Sequence, residues 1–153
     1  MLPGRRRRHS HTVGRRAPNT NEMTELVQSR RSSGSALALA SLLAVAGAAH
    51  FVVPGSYRRI VPQLLGDPAF WVRWSGVAEI GCAALVAHPR TRRAGAYAAV
   101  AVFVAVFPAN VKMALDGGIS GASFPLGSAA VAWARVPLQV PLIVWSWRVA
   151  RQA

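Results

Sequence analysis

Four stretches of this chain are long and apolar enough to cross a bilayer, and short polar connections separate them. They cover residues 35–53, 71–88, 94–115 and 129–149, joined by residues 54–70, 89–93 and 116–128. The first holds 19 residues, about 28 Å as a helix, close to the thickness of the hydrocarbon layer. The third and fourth carry apolar residues all round rather than on one stripe. Such a helix is buried in a large core or in lipid, and 153 residues cannot build a large core. The pattern predicts an all-α membrane protein, a four-transmembrane-helix bundle. The last connection, Asp116-Gly117-Gly118-Ile119-Ser120-Gly121, is a flexible turn.

Composition adds a second feature. Hydrophobic residues make up 52% of the chain, yet its formal charge is +13. The two properties separate along the sequence, because eight arginines fall within residues 1–31. Residues 1–34 therefore read as a disordered basic tail, and residues 35–150 as the membrane domain. An arginine run can hold nucleic acid through phosphates. Ahead of a span it instead keeps that end in the cytoplasm and touches anionic lipid, so no specific nucleic acid is expected. Met23 offers a second start for translation, which would remove Arg5–Arg8. A rival reading makes the first span a signal peptide with Ala44-Val45-Ala46 as its cleavage site.

Of the 18 basic residues 17 are arginine, a bias that suggests a GC-rich bacterial genome. Arg90, Arg92, Arg93, Arg148 and Arg151 lie on the same side as the tail. The positive-inside rule then places both termini in the cytoplasm, with the chain in a bacterial plasma membrane. Trp71, Trp74 and Trp133 near the outer boundary, and Trp145 and Trp147 near the inner one, agree with the aromatic-belt preference.

Ionisable residues inside spans are costly and therefore informative. Glu79 shares a face with the small residues Gly76 and Ala83, which would let another helix approach closely. Arg135 is its expected partner, at a similar depth on the fourth span, with Gln139 on the same stripe. Asn110 follows Pro108, which frees a backbone carbonyl and bends its helix. Pro137 and Pro141 do the same in the fourth span. His50 completes the set near the outer end of the first span. His50, Glu79, Asn110, Arg135 and Gln139 thus form a candidate polar pocket in the outer half of the membrane. The alternative is a buried network that only holds helices together. Lys112 lies about 200° from Asn110 on the wheel and is expected to snorkel to the surface.

Several chemistries drop out. His50 and His88 fall at opposite ends, so they cannot sandwich a haem. No metal-ligand spacing, phosphate-binding glycine motif or Ser–His–Asp set is present. The single cysteine, Cys82, reads as a packing residue. No catalytic or redox motif is complete within the chain.

Five segments together resemble the DoxX-like family of small bacterial membrane proteins. They are Gly47-Ala48-Ala49-His50-Phe51 with Pro54, Tyr57 and Ile60-Val61-Pro62; Ser75-Gly76-Val77-Ala78-Glu79-Ile80; Pro89-Arg90-Thr91-Arg92-Arg93; Phe107-Pro108-Ala109-Asn110; and Arg135-Val136-Pro137-Leu138-Gln139. The resemblance covers residues 40–149. It implies a four-helix membrane domain, and it matches the five polar residues to the family's polar signature. Some relatives are linked to quinone-dependent sulfur oxidation or oxidative-stress complexes, which makes a quinone the cofactor that the resemblance suggests. Two functions follow as expectations. One is a membrane subunit that binds a quinone or similar amphiphile and supports a redox partner protein. The other is a non-enzymatic scaffold, or a small transporter that needs a homo-oligomer to form its pathway.

Overall fold

The computed structural model describes residues 19–153 except Ser120, Ser123 and Leu126. The arginine run at residues 5–8 lies outside the described residues. The elements run α1 (Thr20–Val52), α2 (Pro54–Ile60), a 3-10 turn (Gln63–Leu65), α3 (Pro68–Ala87), α4 (Arg92–Leu115) and α5 (Ala129–Gln152). Four of these, α1, α3, α4 and α5, are long and apolar enough to cross a membrane, in agreement with the expected spans.

The first span differs from expectation at its start. It begins at Thr20, so residues 20–34, expected within a disordered tail, are helical. A capping box nucleates the helix. The Glu22 N–H donates to Asn19 Oδ1 at 2.8 Å, and the Asn19 N–H donates to Glu22 Oε2 at 2.8 Å. Two otherwise unpaired donors are thereby satisfied. Once that turn exists, adding further residues to a helix costs little, so it runs without a break into the apolar segment. Its 33 residues give a rod of about 50 Å, longer than a bilayer is thick.

Other boundaries follow local chemistry. At the start of α3 the Asp67 side chain accepts from the Ala69 N–H at 2.8 Å, and Pro68 occupies the first turn, where no N–H is needed. The helix stops at Ala87 because Pro89 disfavours helical geometry at His88. Thr91 Oγ1 donates to the Leu85 carbonyl at 2.8 Å, and Arg92 Nε to the Val86 carbonyl at 3.2 Å. These bonds satisfy the last carbonyls of α3 and close the tight turn into α4.

The helices pack mainly in the order α1 on α3, α3 on α4 and α4 on α5, while α1 touches α5 only slightly. Trp145 Nε1 donates to Ser35 Oγ at 2.8 Å where those two meet. Two apolar clusters result. The larger joins Ala36, Leu39 and Leu43 of α1, Cys82 and Val86 of α3, Ala96 and Phe103 of α4, and Val149 of α5. Cys82 is buried there, as a packing residue should be. The smaller joins Ile60 of α2, Met113 of α4, Ile119 of the connection that follows it and Ala132 of α5, with Tyr57 and Val136 against it. The outward faces stay apolar: Leu42, Val45, Val104, Leu138 and Val140 are exposed. A water-facing bundle would hide such residues, whereas lipid solvates them.

Candidate functional site

Between the two apolar clusters lies a polar layer. Its buried members are His50, Glu79, Asn110 and Gln139. The layer has two halves with different chemistry.

The first half depends on a close crossing of α1 and α3. A Cβ placed on Gly47 would lie 2.8 Å from the Gly76 carbonyl oxygen, and one on Gly76 would lie 2.9 Å from His50 Cβ. Only residues without a Cβ permit this approach, and the approach sets the His50 ring against the Glu79 carboxylate. His50 Nε2 stands 3.5 Å from Glu79 Oε2. A charge-assisted hydrogen bond would be about 2.7–2.9 Å, so this is a loose contact. Tyr57 of α2 folds back and stacks on the imidazole with ring centroids 4.0 Å apart and planes 26° apart. His50 Nδ1 and Glu79 Oε2 are both buried without a hydrogen-bond partner.

The second half joins α4 to α5. Asn110 Nδ2 donates to Gln139 Oε1 at 2.9 Å, and Gln139 Nε2 donates to the Phe103 carbonyl at 2.5 Å. The Phe103 carbonyl lies in the turn that precedes Pro108, where the proline disrupts the ladder of the helix. Pro108 frees a carbonyl in this turn, and a side-chain amide from the neighbouring helix covers the carbonyl beside it. Two turns further along α5, Ser146 Oγ donates back to the Leu142 carbonyl at 2.9 Å.

Arg135 corrects one expectation. Among the described residues it makes no ion pair with Glu79, whose carboxylate faces His50 instead. The cause is the packing order. α5 packs on α4 and shares little contact with α3, so the stripe that carries Gln139 to Asn110 does not carry Arg135 to Glu79. Arg135 is only half-buried. Burial pushes the Tyr57 phenol above its usual range, the Arg135 charge pulls it back, and Glu79 pushes it up again. Tyr57 is therefore a member of the layer that the expected pocket left out. Its signal was present in the sequence, as an aromatic seven residues past His50 in the segment that follows Pro54.

Lys112 pairs with Asp116 one turn along the end of α4, consistent with its expected placement at a span end. His88 lies exposed at the far end of α3 from His50, as the exclusion of a shared haem requires. No group of three or more metal-ligand side chains occurs among the described residues. Two surface concavities are lined by no member of the polar layer. One flanks Met23, Val27 and Gln152, and the other flanks Pro54, Arg59 and Gly121.

No curated protein and no solved structure matches the chain. A family model does: that of a domain of unknown function, DUF8561, matches residues 39–150, which include His50, Glu79, Asn110, Arg135 and Gln139, and the chain belongs to this family.

Proposed function

We propose that this chain is a membrane subunit that holds the polar head of a lipid-soluble ligand beside His50 and Glu79 and supports an oxidoreductase partner. The observation that carries the reading is the pair of buried, unpartnered atoms, His50 Nδ1 and Glu79 Oε2. Leaving such groups unmade costs about 1–3 kcal/mol each, and a ligand that bonds both recovers that cost. A quinone-like ring is the class implied by the resemblance to DoxX-like proteins. The imidazole is a side chain suited to passing a proton to or from a bound ligand, and Tyr57 supplies an aromatic face beside it. The redox group belongs to the ligand or the partner, because the chain has no complete redox motif.

The arginines near the termini and at Arg90–Arg93 support a bacterial plasma-membrane location with both termini in the cytoplasm. The polar layer then falls in the outer half of the bilayer.

A second reading is favoured by the other half of the layer. The Asn110–Gln139–Phe103 chain bonds both amides and leaves neither side chain with a buried, unpartnered atom, as expected of polar groups that only join helices. On that reading the protein is a scaffold, or a small transporter assembled as an oligomer. Mass spectrometry on the protein purified gently from its own membranes separates the two. A stoichiometric quinone or a recurrent redox enzyme, lost on Glu79→Gln, supports the ligand-binding subunit. Bulk lipid alone, with no constant partner, supports the scaffold.

A further inference from the structure

A different chemistry gathers at the opposite end of the bundle, where α4 begins and α5 finishes. Tyr97 of α4 and Trp147 of α5 meet edge to face, with ring centroids 5.6 Å apart and planes 81° apart. The two helices run antiparallel. One turn closer to the chain termini on each, Arg93 (four residues before Tyr97) and Arg151 (four after Trp147) follow on the same faces. Both arginines are exposed, and among the described residues neither makes an ion pair.

The neighbours sharpen the contrast. Arg92 is engaged by the Val86 carbonyl. The Tyr97 hydroxyl has no protein hydrogen bond among the described residues, and helix geometry tilts it towards the start of α4 and Arg93. Thr91 donates its hydroxyl to α3, so no side chain caps the first N–H groups of α4. The positive end of that helix dipole therefore adds to the two guanidinium charges. In the other direction both faces become apolar. Val144 and Val140 continue the Trp147 face of α5, Val104 continues the Tyr97 face of α4, and all three are exposed.

We infer that the α4–α5 seam binds an anionic phospholipid, with its phosphate held by Arg93, Arg151 and the Tyr97 hydroxyl. The acyl chains lie along Val104, Val140 and Val144. Arginine forks suit phosphate oxygens. An amphipathic aromatic pair marks the depth at which head groups give way to hydrocarbon. A nucleic acid or acidic protein would match the charges but not the apolar tracks that continue from them.

The test uses the full chain in a neutral detergent, titrated with phosphatidylglycerol and read by melting temperature and by native mass spectrometry of retained lipid. The inference expects a saturable rise in melting temperature and one or a few retained lipids. Phosphatidylcholine should give neither. Replacing both arginines (R93Q/R151Q) should weaken the apparent affinity about 30-fold, from the usual contribution of a basic side chain near anionic lipid. R93K/R151K, which keeps charge and fold but loses the forked geometry, should weaken it less, and Y97F less again. R30Q/R31Q removes equal charge from the same end and should leave the affinity within about twofold if the contact is specific. An equal response to phosphatidylcholine, an equal shift from inorganic phosphate alone, or an equal loss in R30Q/R31Q would overturn the lipid site.

Discussion

The two halves of the polar layer sit at neighbouring depths, one built from ionisable side chains and the other from neutral amides, and their hydrogen bonding differs. On the α4–α5 side every amide finds a partner: Asn110 bonds Gln139, and Gln139 bonds the Phe103 carbonyl. On the α1–α3 side the contact is 3.5 Å, and two buried atoms are left over. A satisfied network fixes helices, because either partner's loss strands the other. An unsatisfied pair contributes little to holding helices, and its presence in a closely packed crossing calls for another role. On the proposed reading, the α4–α5 half holds the bundle together and the α1–α3 half holds a ligand.

The largest effect should come from the crossing that creates the unsatisfied half. Gly76→Leu forces a side chain into space now filled by His50 and Phe51. It should cost about 3 kcal/mol through overpacking, read as a loss of melting stability in detergent. A Gly76→Leu protein as stable as the parent would mean that the helices do not cross so closely.

Next comes the satisfied half. Gln139→Leu leaves the Asn110 amide and the Phe103 carbonyl unpaired and should cost about 1–3 kcal/mol. Adding Asn110→Leu should restore part of that, because one orphaned group disappears. Additive losses in the double variant would show that the two side chains are not coupled.

The third effect is smaller in stability and larger in binding. Glu79→Gln keeps the shape of a group that has no good hydrogen bond to lose. It should shift stability by less than about 1 kcal/mol while abolishing any co-purifying ligand. A large stability loss with ligand retained would reverse the assignment of the two halves.

The smallest effect concerns alkaline pH. The Tyr57 phenol holds its proton more tightly in the folded chain than a free tyrosine does. The folded state therefore binds more protons once the pH passes the ordinary tyrosine value near 10. Stability present below that value falls as the pH rises through it towards the raised folded value. Tyr57→Phe should flatten that part of a pH–stability curve and leave the neutral region nearly unchanged.

The membrane spans were legible because apolar content and length alone mark them, and the bilayer tolerates few other structures. Residues 20–34 were read as tail because they lack an apolar period. Their helicity comes instead from the Asn19–Glu22 cap and from continuation into the span, and the Asn-x-x-Glu spacing was visible as a signal. The polar residues were legible one by one through their cost in lipid. Their partners were not, because depth along a helix says nothing about which helix lies alongside. Glu79 and Arg135 matched in depth, but α5 stacks on α4, and the glycine pair draws α1 onto α3. Glu79 thus meets histidine, and the charge of Arg135 acts on Tyr57 instead.

The uninterrupted length of α1 has a mechanical consequence. The helix is held along its apolar half, where Ala36, Leu39 and Leu43 join the core and Gly47 meets α3, while residues 20–31 are exposed. Because one continuous helix crosses that boundary, the stretch from Thr20 to Ser35, about 22 Å long, takes its direction from the packed half. It forms a post anchored in the bundle at one end only, which holds its exposed tip at a set distance from the polar layer.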